Sequence, residues 1–218
     1  LFSGSGPNLE AIASRIQEGV LQARIRVAVS DRGDCPGLLR AENLDLPARA
    51  LEPADYADRQ NQEEAVIKLL REHGAEAVVL AGYMRLVSGE FIRAFSGRVL
   101  NIHPSLLPSF KGVRATKDAA EYGVRISGAT VHFVDEQMDH GPVIIQAAVP
   151  ADPGQDSESL SSRIQALEHR IYPQAVQWLS QNRLHVRQGH VLLDDPPEPW
   201  TGTGQPPCLI SPGLEEGF

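Results

Sequence analysis

The chain has 218 residues, 42 % of them apolar and 22 % charged, with a formal net charge of −8. That length suits one α/β domain with a proper core and falls short of two full catalytic domains. The acidic balance speaks against a nucleic-acid surface, which draws on clustered Lys and Arg. The longest apolar runs are strand-sized and no signal peptide is visible, so a cytoplasmic protein is expected. Cys35 and Cys208 stand far apart with no metal-like spacing, which fits a reducing compartment without a disulfide. Leu1-Phe2-Ser3 carry no Met and read as a strand entered part-way along.

In chain order, strands are predicted at Leu1–Phe2 (a remnant), Ile25–Ser30, Ala77–Ala81 and Arg98–Ile102. Helices are predicted over Leu9–Gln17, Asn61–His73, Gly89–Phe95 and Thr116–Tyr122. The run Ala77-Val78-Val79-Leu80-Ala81 is continuously apolar, as parallel strands covered on both faces are. Alternation of this kind implies βαβ units with right-handed crossovers. Then the pattern changes. Thr130–Val134 and Val143–Val149 read as two strands of a hairpin. A long helix from about Ser157 to Leu179 follows, with Ile164, Leu167, Ile171 and Ala175 along one stripe and Ser157 as N-cap. The expected fold is α/β, an open, mostly parallel twisted sheet with helices on both faces, Rossmann-like, with antiparallel strands toward the C-terminal part. One domain is expected over 1–190, its halves meeting near residue 98. The Pro- and Gly-rich 191–218 reads as a surface extension or disordered tail without chemistry.

Ser3-Gly4-Ser5-Gly6-Pro7-Asn8-Leu9 joins the strand remnant to the first helix. Glycines let the backbone approach a ligand, and a helix N-terminus offers N–H groups and a positive dipole end to an anion. Asn8 doubles as a candidate N-cap. The loop also bears comparison with a dinucleotide fingerprint. That motif needs a third glycine where Leu9 stands, although Asp31 lies where a ribose-binding acid could be. A plain strand-to-helix turn is the remaining alternative.

The densest signal is Asn101-Ile102-His103-Pro104. Residues two apart on a strand point the same way, so Asn101 and His103 project together. Pro104 keeps His103 extended and stops the strand, leaving a carboxamide and an imidazole at its carboxyl end, where open parallel sheets bind ligands. Acyl transfer needs such a pair, one donor for an oxyanion and one group to move protons. The acidic loop Asp135-Glu136-Gln137-Met138-Asp139 can supply a carboxylate to the imidazole, but the sequence does not choose among Asp135, Glu136 and Asp139. There is no nucleophile elbow and no metal-ligand spacing, so direct transfer without a covalent enzyme intermediate or metal is the economical chemistry.

Asn101 through Pro108, Gly128 through Val134, Met138-Asp139-His140-Gly141-Pro142, the upstream Leu80 through Leu86 and the Gly4–Leu9 loop together resemble the phosphoribosylglycinamide formyltransferases, over roughly residues 1 to 190. The resemblance implies transfer of the formyl group of 10-formyltetrahydrofolate to the glycine amine of glycinamide ribonucleotide, in de novo purine synthesis, through a tetrahedral intermediate. It implies that Asn101 holds the formyl oxygen, that His103 is the acid and that Asp139 tunes it. Gly6, Pro7 and Asn8 would hold the phosphate, with Glu168 near the ribose and glycinamide. Met84, Arg85, Leu86 and Val87 would line the pterin pocket, and Arg59 would reach the benzoylglutamate end. The partners expected are these small molecules, with no metal, nucleic acid or membrane, in a monomer or homodimer.

The chain departs from that family's pattern in three places. Pro7 stands where a Ser is usual, removing one N–H donor. His140 replaces a small residue beside Asp139, and Arg114, Thr116 and Lys117 occupy a loop where histidines are frequent. Two relatives of the chemistry compete. A formyltetrahydrofolate deformylase tends to read His-His-Ser where this chain has His103-Pro104-Ser105, and carries a regulatory domain ahead. A methionyl-tRNA formyltransferase needs an RNA-binding domain and a basic face. A non-catalytic nucleotide-binding module, the alternative from another class, leaves Asn101, His103 and Asp139 unexplained.

Overall fold

The structure, a computed structural model, describes residues 1–152, 154–202 and 208–218. Its contacts divide into two compact units, Leu1–Asn101 and Ile102–Phe218.

The first unit contains α1 (Pro7–Gln17), β1 (Ala28–Ser30), α2 (Pro36–Asn43), β2 (Ala48–Ala50), a 3-10 turn (Pro53–Asp55), α3 (Arg59–Glu72), β3 (Val78–Leu80), α4 (Gly89–Ala94) and β4 (Val99–His103), which runs on into the second unit. β1 pairs parallel with β2, and β3 pairs parallel with β4 with Leu80 opposite Asn101. Phe2 bridges Ser30 in parallel, and the Leu1 carbonyl accepts from the Ala81 N–H at 2.8 Å. The expected strand remnant therefore pairs with the chain on both sides. Phe2, Leu9, Ala28, Cys35 and Ala41 form a buried cluster here.

In the first unit, a helix and a strand escape the sequence reading. α2 begins Pro36-Gly37, a dipeptide that ordinarily signals a turn, yet Pro at the first helical position is pre-set for a helix. β2 is Ala48-Arg49-Ala50, with no apolar run, and is made a strand by its pairing with β1. Caps also shift. α1 is capped by Gly6, not Asn8, which lies inside the helix. The long helix α6 (Ser157–Ser180) is capped by Asp156, whose carboxylate accepts from the Ser159 N–H at 2.7 Å, not by Ser157.

The second unit holds α5 (Ala115–Tyr122), β5 (Ile126–Phe133), β6 (Val143–Pro150), α6, β7 (Leu184–Arg187), β8 (His190–Leu193), β9 (Trp200–Gly202) and β10 (Cys208–Ser211). β5 and β6 form the expected hairpin, with a register irregularity between Val131 and His132. α6 packs on both strands and buries Leu160, Ile164, Ile171 and Trp178 completely or nearly so. Each such side chain contributes about 1.5–3 kcal/mol of transfer free energy, which offsets the cost of about 3 kcal/mol that Pro173 brings to a helix interior. The α/β class, with parallel pairing first and antiparallel pairing toward the C-terminus, is the one expected.

The segment after 190 differs from a featureless extension. β8 closes a hairpin with β7, and β10 pairs antiparallel with β6, Ile210 opposite Ala147. Ile210 is fully buried. Residues 203–207 of this stretch lie outside the described residues. Beyond β10, the Glu215 carboxylate accepts from Trp178 Nε1 (3.1 Å), Gln174 Nε2 (3.3 Å) and the Arg183 guanidinium, and its N–H donates to Gln174 Oε1 at 2.7 Å. Burial alone would raise the Glu215 pKa, but the hydrogen bonds from Arg183, Trp178 and Gln174 outweigh it and hold the pKa below its ordinary 4.5.

A depressed carboxylate stabilises the fold above its unfolded pKa and loses that contribution as pH falls through the folded value. Glu215→Ala should therefore lower unfolding free energy at pH 7 by about 1–3 kcal/mol. In denaturant titrations at stepped pH, the gap to wild type should begin to close below pH 4.5. A gap that does not change with pH would place the effect in packing.

Candidate functional site

β4 is buried at Val99, Leu100, Ile102 and His103, with Asn101 partly exposed. Asn101 and His103 have the same-side spacing expected of strand residues two apart. The His103 ring is buried, and both its nitrogens face acceptors. Nε2 lies 2.8 Å from the Phe110 carbonyl and Nδ1 lies 3.5 Å from Asp139 Oδ2. The first is a full hydrogen bond. The second is within ion-pair range but longer than a hydrogen bond. A neutral imidazole donates at only one nitrogen, and the contact to the Phe110 carbonyl is the shorter of the two.

Of the three acids left open by the sequence, Asp139 is the one at this ring. Its Oδ2 also accepts the Gly112 N–H at 2.8 Å. Its backbone sits at φ 49°, a left-handed conformation that costs a non-glycine residue roughly 1–2 kcal/mol. Asp135 turns elsewhere, taking the Gln137 N–H at 2.9 Å and the His140 ring at 2.7 Å.

The segment after His103 is fixed by two polar residues that the sequence reading passed over. Thr130 Oγ1 donates to the Ser105 carbonyl (2.7 Å) and accepts from the Leu107 N–H (3.0 Å) and Gln146 Nε2 (3.0 Å). Gln146 Nε2 also donates to the Leu107 carbonyl at 3.0 Å. Ser105 closes the turn by donating to the Ser109 carbonyl. Thr130 and Gln146 are register partners across β5 and β6, and a facing polar pair in two apolar strands was the available signal. Each buried hydrogen bond of this kind contributes about 1 kcal/mol net, and losing one partner costs more. A further buried imidazole, His132, bonds the Phe133 carbonyl at 2.8 Å. Burial lowers its pKa, against the pull of Asp139, so it stays neutral near the His103–Asp139 pair.

Within the first unit, the glycine loop turns at Gly6, whose φ of +69° is one that glycine alone adopts at no cost. Pro7 occupies the first helical position, and Asn8 is buried. The loop is braced by α2. The Gly37 N–H donates to the Gly4 carbonyl at 3.1 Å, and Arg40 Nε donates to the Ser5 carbonyl at 2.9 Å. A Cβ on Gly37 would stand 2.5 Å from the Phe2 ring and 2.7 Å from the Gly4 oxygen. Gly37 and Arg40 belong to the helix that the sequence reading missed.

Ser3 ties that loop to the 84–87 segment: its hydroxyl accepts the Met84 N–H at 2.9 Å. Met84 and Leu86 are 62 % and 58 % exposed, with Arg85 and Val87 partly buried. Arg59 does not extend freely. Its guanidinium donates to the Leu86 carbonyl at 2.6 Å and to Glu63 at 3.1 Å, while Glu63 also receives the Ser88 N–H at 3.2 Å. Burial, with the Asp31 carboxylate adding to it, pushes the neighbouring Tyr83 phenol up to about 12, so it remains a neutral donor. On α6, Glu168 is buried. Among the described residues no cluster of three metal-ligating side chains occurs and no helix is long and apolar enough to cross a membrane.

Residues 1–176 match the family described as formyl transferase. The chain is 42 % identical over 177 residues to phosphoribosylglycinamide formyltransferase of Bacillus subtilis, covering 81 % of this chain and 91 % of the relative. It is 42 % identical over 186 residues to the trifunctional purine biosynthetic protein adenosine-3 of Gallus gallus, where the match covers 85 % of this chain but 18 % of that protein. The chain thus spans about a fifth of the multifunctional relative and nearly all of the bacterial one. Glycinamide ribonucleotide transformylase 1 of Symbiobacterium toebii superposes with a TM-score of 0.87 at 46 % identity, covering 89 % of this chain and 92 % of that one. A formyltetrahydrofolate deformylase of Pseudomonas putida is similar at a TM-score of 0.78 and 29 % identity, covering 88 % of this chain and 68 % of that one. By sequence match and fold, this chain belongs to the formyl transferase family.

Proposed function

We propose that this protein transfers the formyl group of 10-formyltetrahydrofolate to the glycine amine of glycinamide ribonucleotide. The observation that carries the reading is the buried His103 imidazole facing the Asp139 carboxylate at 3.5 Å, at the end of the strand that presents Asn101. The likeness to bacterial phosphoribosylglycinamide formyltransferases at up to 42 % identity over most of both chains supports it.

In this reading the Asn101 carboxamide donates to the formyl oxygen as the amine attacks the formyl carbon. Negative charge grows on that oxygen, and the His103 imidazole beside Asp139 would stabilise it once its Nε2 exchanges the Phe110 carbonyl for the substrate. As the C–N10 bond breaks, the attacking nitrogen loses a proton and folate N10 gains one, and His103 is the group placed to carry it. No covalent bond to the protein is required. Gly6, Pro7 and Asn8 would hold the phosphate against the start of α1, and Glu168 would take the ribose and glycinamide. The exposed Met84 and Leu86, with Arg85 and Val87, would receive the pterin. Arg59 would act on the folate chiefly by fixing the Leu86 carbonyl, with its remaining guanidinium edge toward the glutamate. A cytoplasmic monomer or homodimer working on these small molecules completes the proposal.

Formation of tetrahydrofolate from 10-formyltetrahydrofolate should depend on added glycinamide ribonucleotide. Turnover with water alone would indicate a deformylase, and no turnover with either would indicate a binding module. Asp139→Asn should leave far-UV circular dichroism unchanged and lower kcat by about a hundredfold or more, the range of general acid–base contributions; a wild-type rate removes Asp139 from the chemistry. Gly37→Ala, which presses on the glycine loop, should raise KM for glycinamide ribonucleotide about tenfold with a smaller change in kcat, since overpacking typically costs 1–3 kcal/mol. An unaltered KM would separate α2 from phosphate binding.

A further inference from the structure

The loop that carries Asp139 is closed at both ends. At its base the Phe133 N–H donates to the Pro142 carbonyl at 2.9 Å. A Cβ on Gly141 would stand 1.9 Å from the Phe133 oxygen and 3.3 Å from the Asp135 nitrogen, so the backbone there passes against the outgoing strand with no space between. Nearer the tip, His140 Nδ1 meets Asp135 Oδ2 at 2.7 Å, while the other oxygen of Asp135 takes the Gln137 N–H at 2.9 Å. Both oxygens of Asp135 are therefore used inside the loop. Between these ties stands Asp139, in the left-handed conformation at φ 49°, its carboxylate bonded to the Gly112 N–H and aimed at His103.

A left-handed aspartate tends to relax to ordinary backbone geometry unless its neighbours prevent it. The residue directly after it is His140, and its side chain is tied to Asp135. We infer that His140 is a positioning residue: through Asp135 it pins the tip of the loop and so holds the Asp139 carboxylate at the His103 ring. The inference rests on the proposed role of Asp139. It assigns His140 no contact with substrate, and its ring is half exposed, so its replacement leaves the core intact.

The test is a double-mutant cycle on acceptor-dependent formyl transfer. His140→Ala should lower kcat about tenfold, in line with the sensitivity of catalysis to small misplacements, with KM for either substrate changed less than about twofold. His140→Asn, whose side-chain N–H overlays Nδ1, should restore most of the rate. Asp135→Ala, which also removes the Gln137 bond, should lose at least as much as His140→Ala, and the double variant should be no worse than Asp135→Ala alone, as expected for one shared interaction. The His103 ring-proton resonance should move in both single variants. Asp139→Asn is assayed in parallel. Full activity there removes the premise, whereas loss there with His140→Ala within about twofold of wild-type kcat overturns this inference and leaves the role of Asp139 standing. Additive losses, or no rescue by asparagine, would likewise overturn it.

Discussion

A buried imidazole between two acceptors is the constraint around which the second unit is arranged. His103 offers two nitrogens to the Phe110 carbonyl and the Asp139 carboxylate, and burying such a ring is tolerable only if both partners stay in place. One partner lies seven residues downstream and the other on the β5–β6 loop, so two irregular segments must be held still. The Thr130–Gln146 pair does this for the first, by holding the 105–107 backbone against the hairpin. The left-handed turn at Asp139, with its Gly112 bond, does it for the second. Regular strands supply the rigidity, and the loops bring the reactive groups to it.

The same division governs the first unit with different chemistry. There the glycine loop has few side chains to aim and depends on backbone placement. α2 presses on it through a glycine too crowded to carry a Cβ, Arg40 draws its carbonyl inward, and Ser3 couples it to the 84–87 segment. Arg59 and Glu63 then hold the far side of that segment through Leu86 and Ser88. A charged residue expected to reach a ligand is thus bound to backbone. For an Arg on a helix start beside a loop of open carbonyls, a charge-assisted bond to the loop is the strongest contact within reach.

These arrangements also explain what could be read in advance. β4 and its Asn-x-His ending were legible because strand periodicity and a following Pro are local signals. The hairpin and α6 were legible by alternation and by stripe. β2 was not, because Ala48-Arg49-Ala50 becomes a strand only through β1. The choice among Asp135, Glu136 and Asp139 was not legible from composition, since it depends on a backbone turn that no residue type announces. It was reached through resemblance, and the 3.5 Å separation is the physical counterpart. The region after 190 misled because Pro and Gly dominate its composition, while its folding rests on the short run Cys208-Leu209-Ile210. Leu209 and Ile210, with Ser211 after them, pair with β6 and cover an apolar edge that would otherwise invite association.

Pro7 is the departure with the sharpest physical meaning. At the first position of α1 it costs the helix nothing, because that N–H has no intrahelical partner. For an anion at the same place the cost is direct, since one of the donors that would face a phosphate is absent. The ring compensates by fixing φ, and Gly6 before it already holds a conformation few residues accept, so under the proposed role the loop would meet an anion with little freedom left to lose. A cradle with fewer donors but a stiffer frame trades hydrogen-bond enthalpy for a smaller ordering cost. The bracing by Gly37 and Arg40 fits the proposed role, because a loop that would bind through placement tolerates displacement less than one that binds through many side chains.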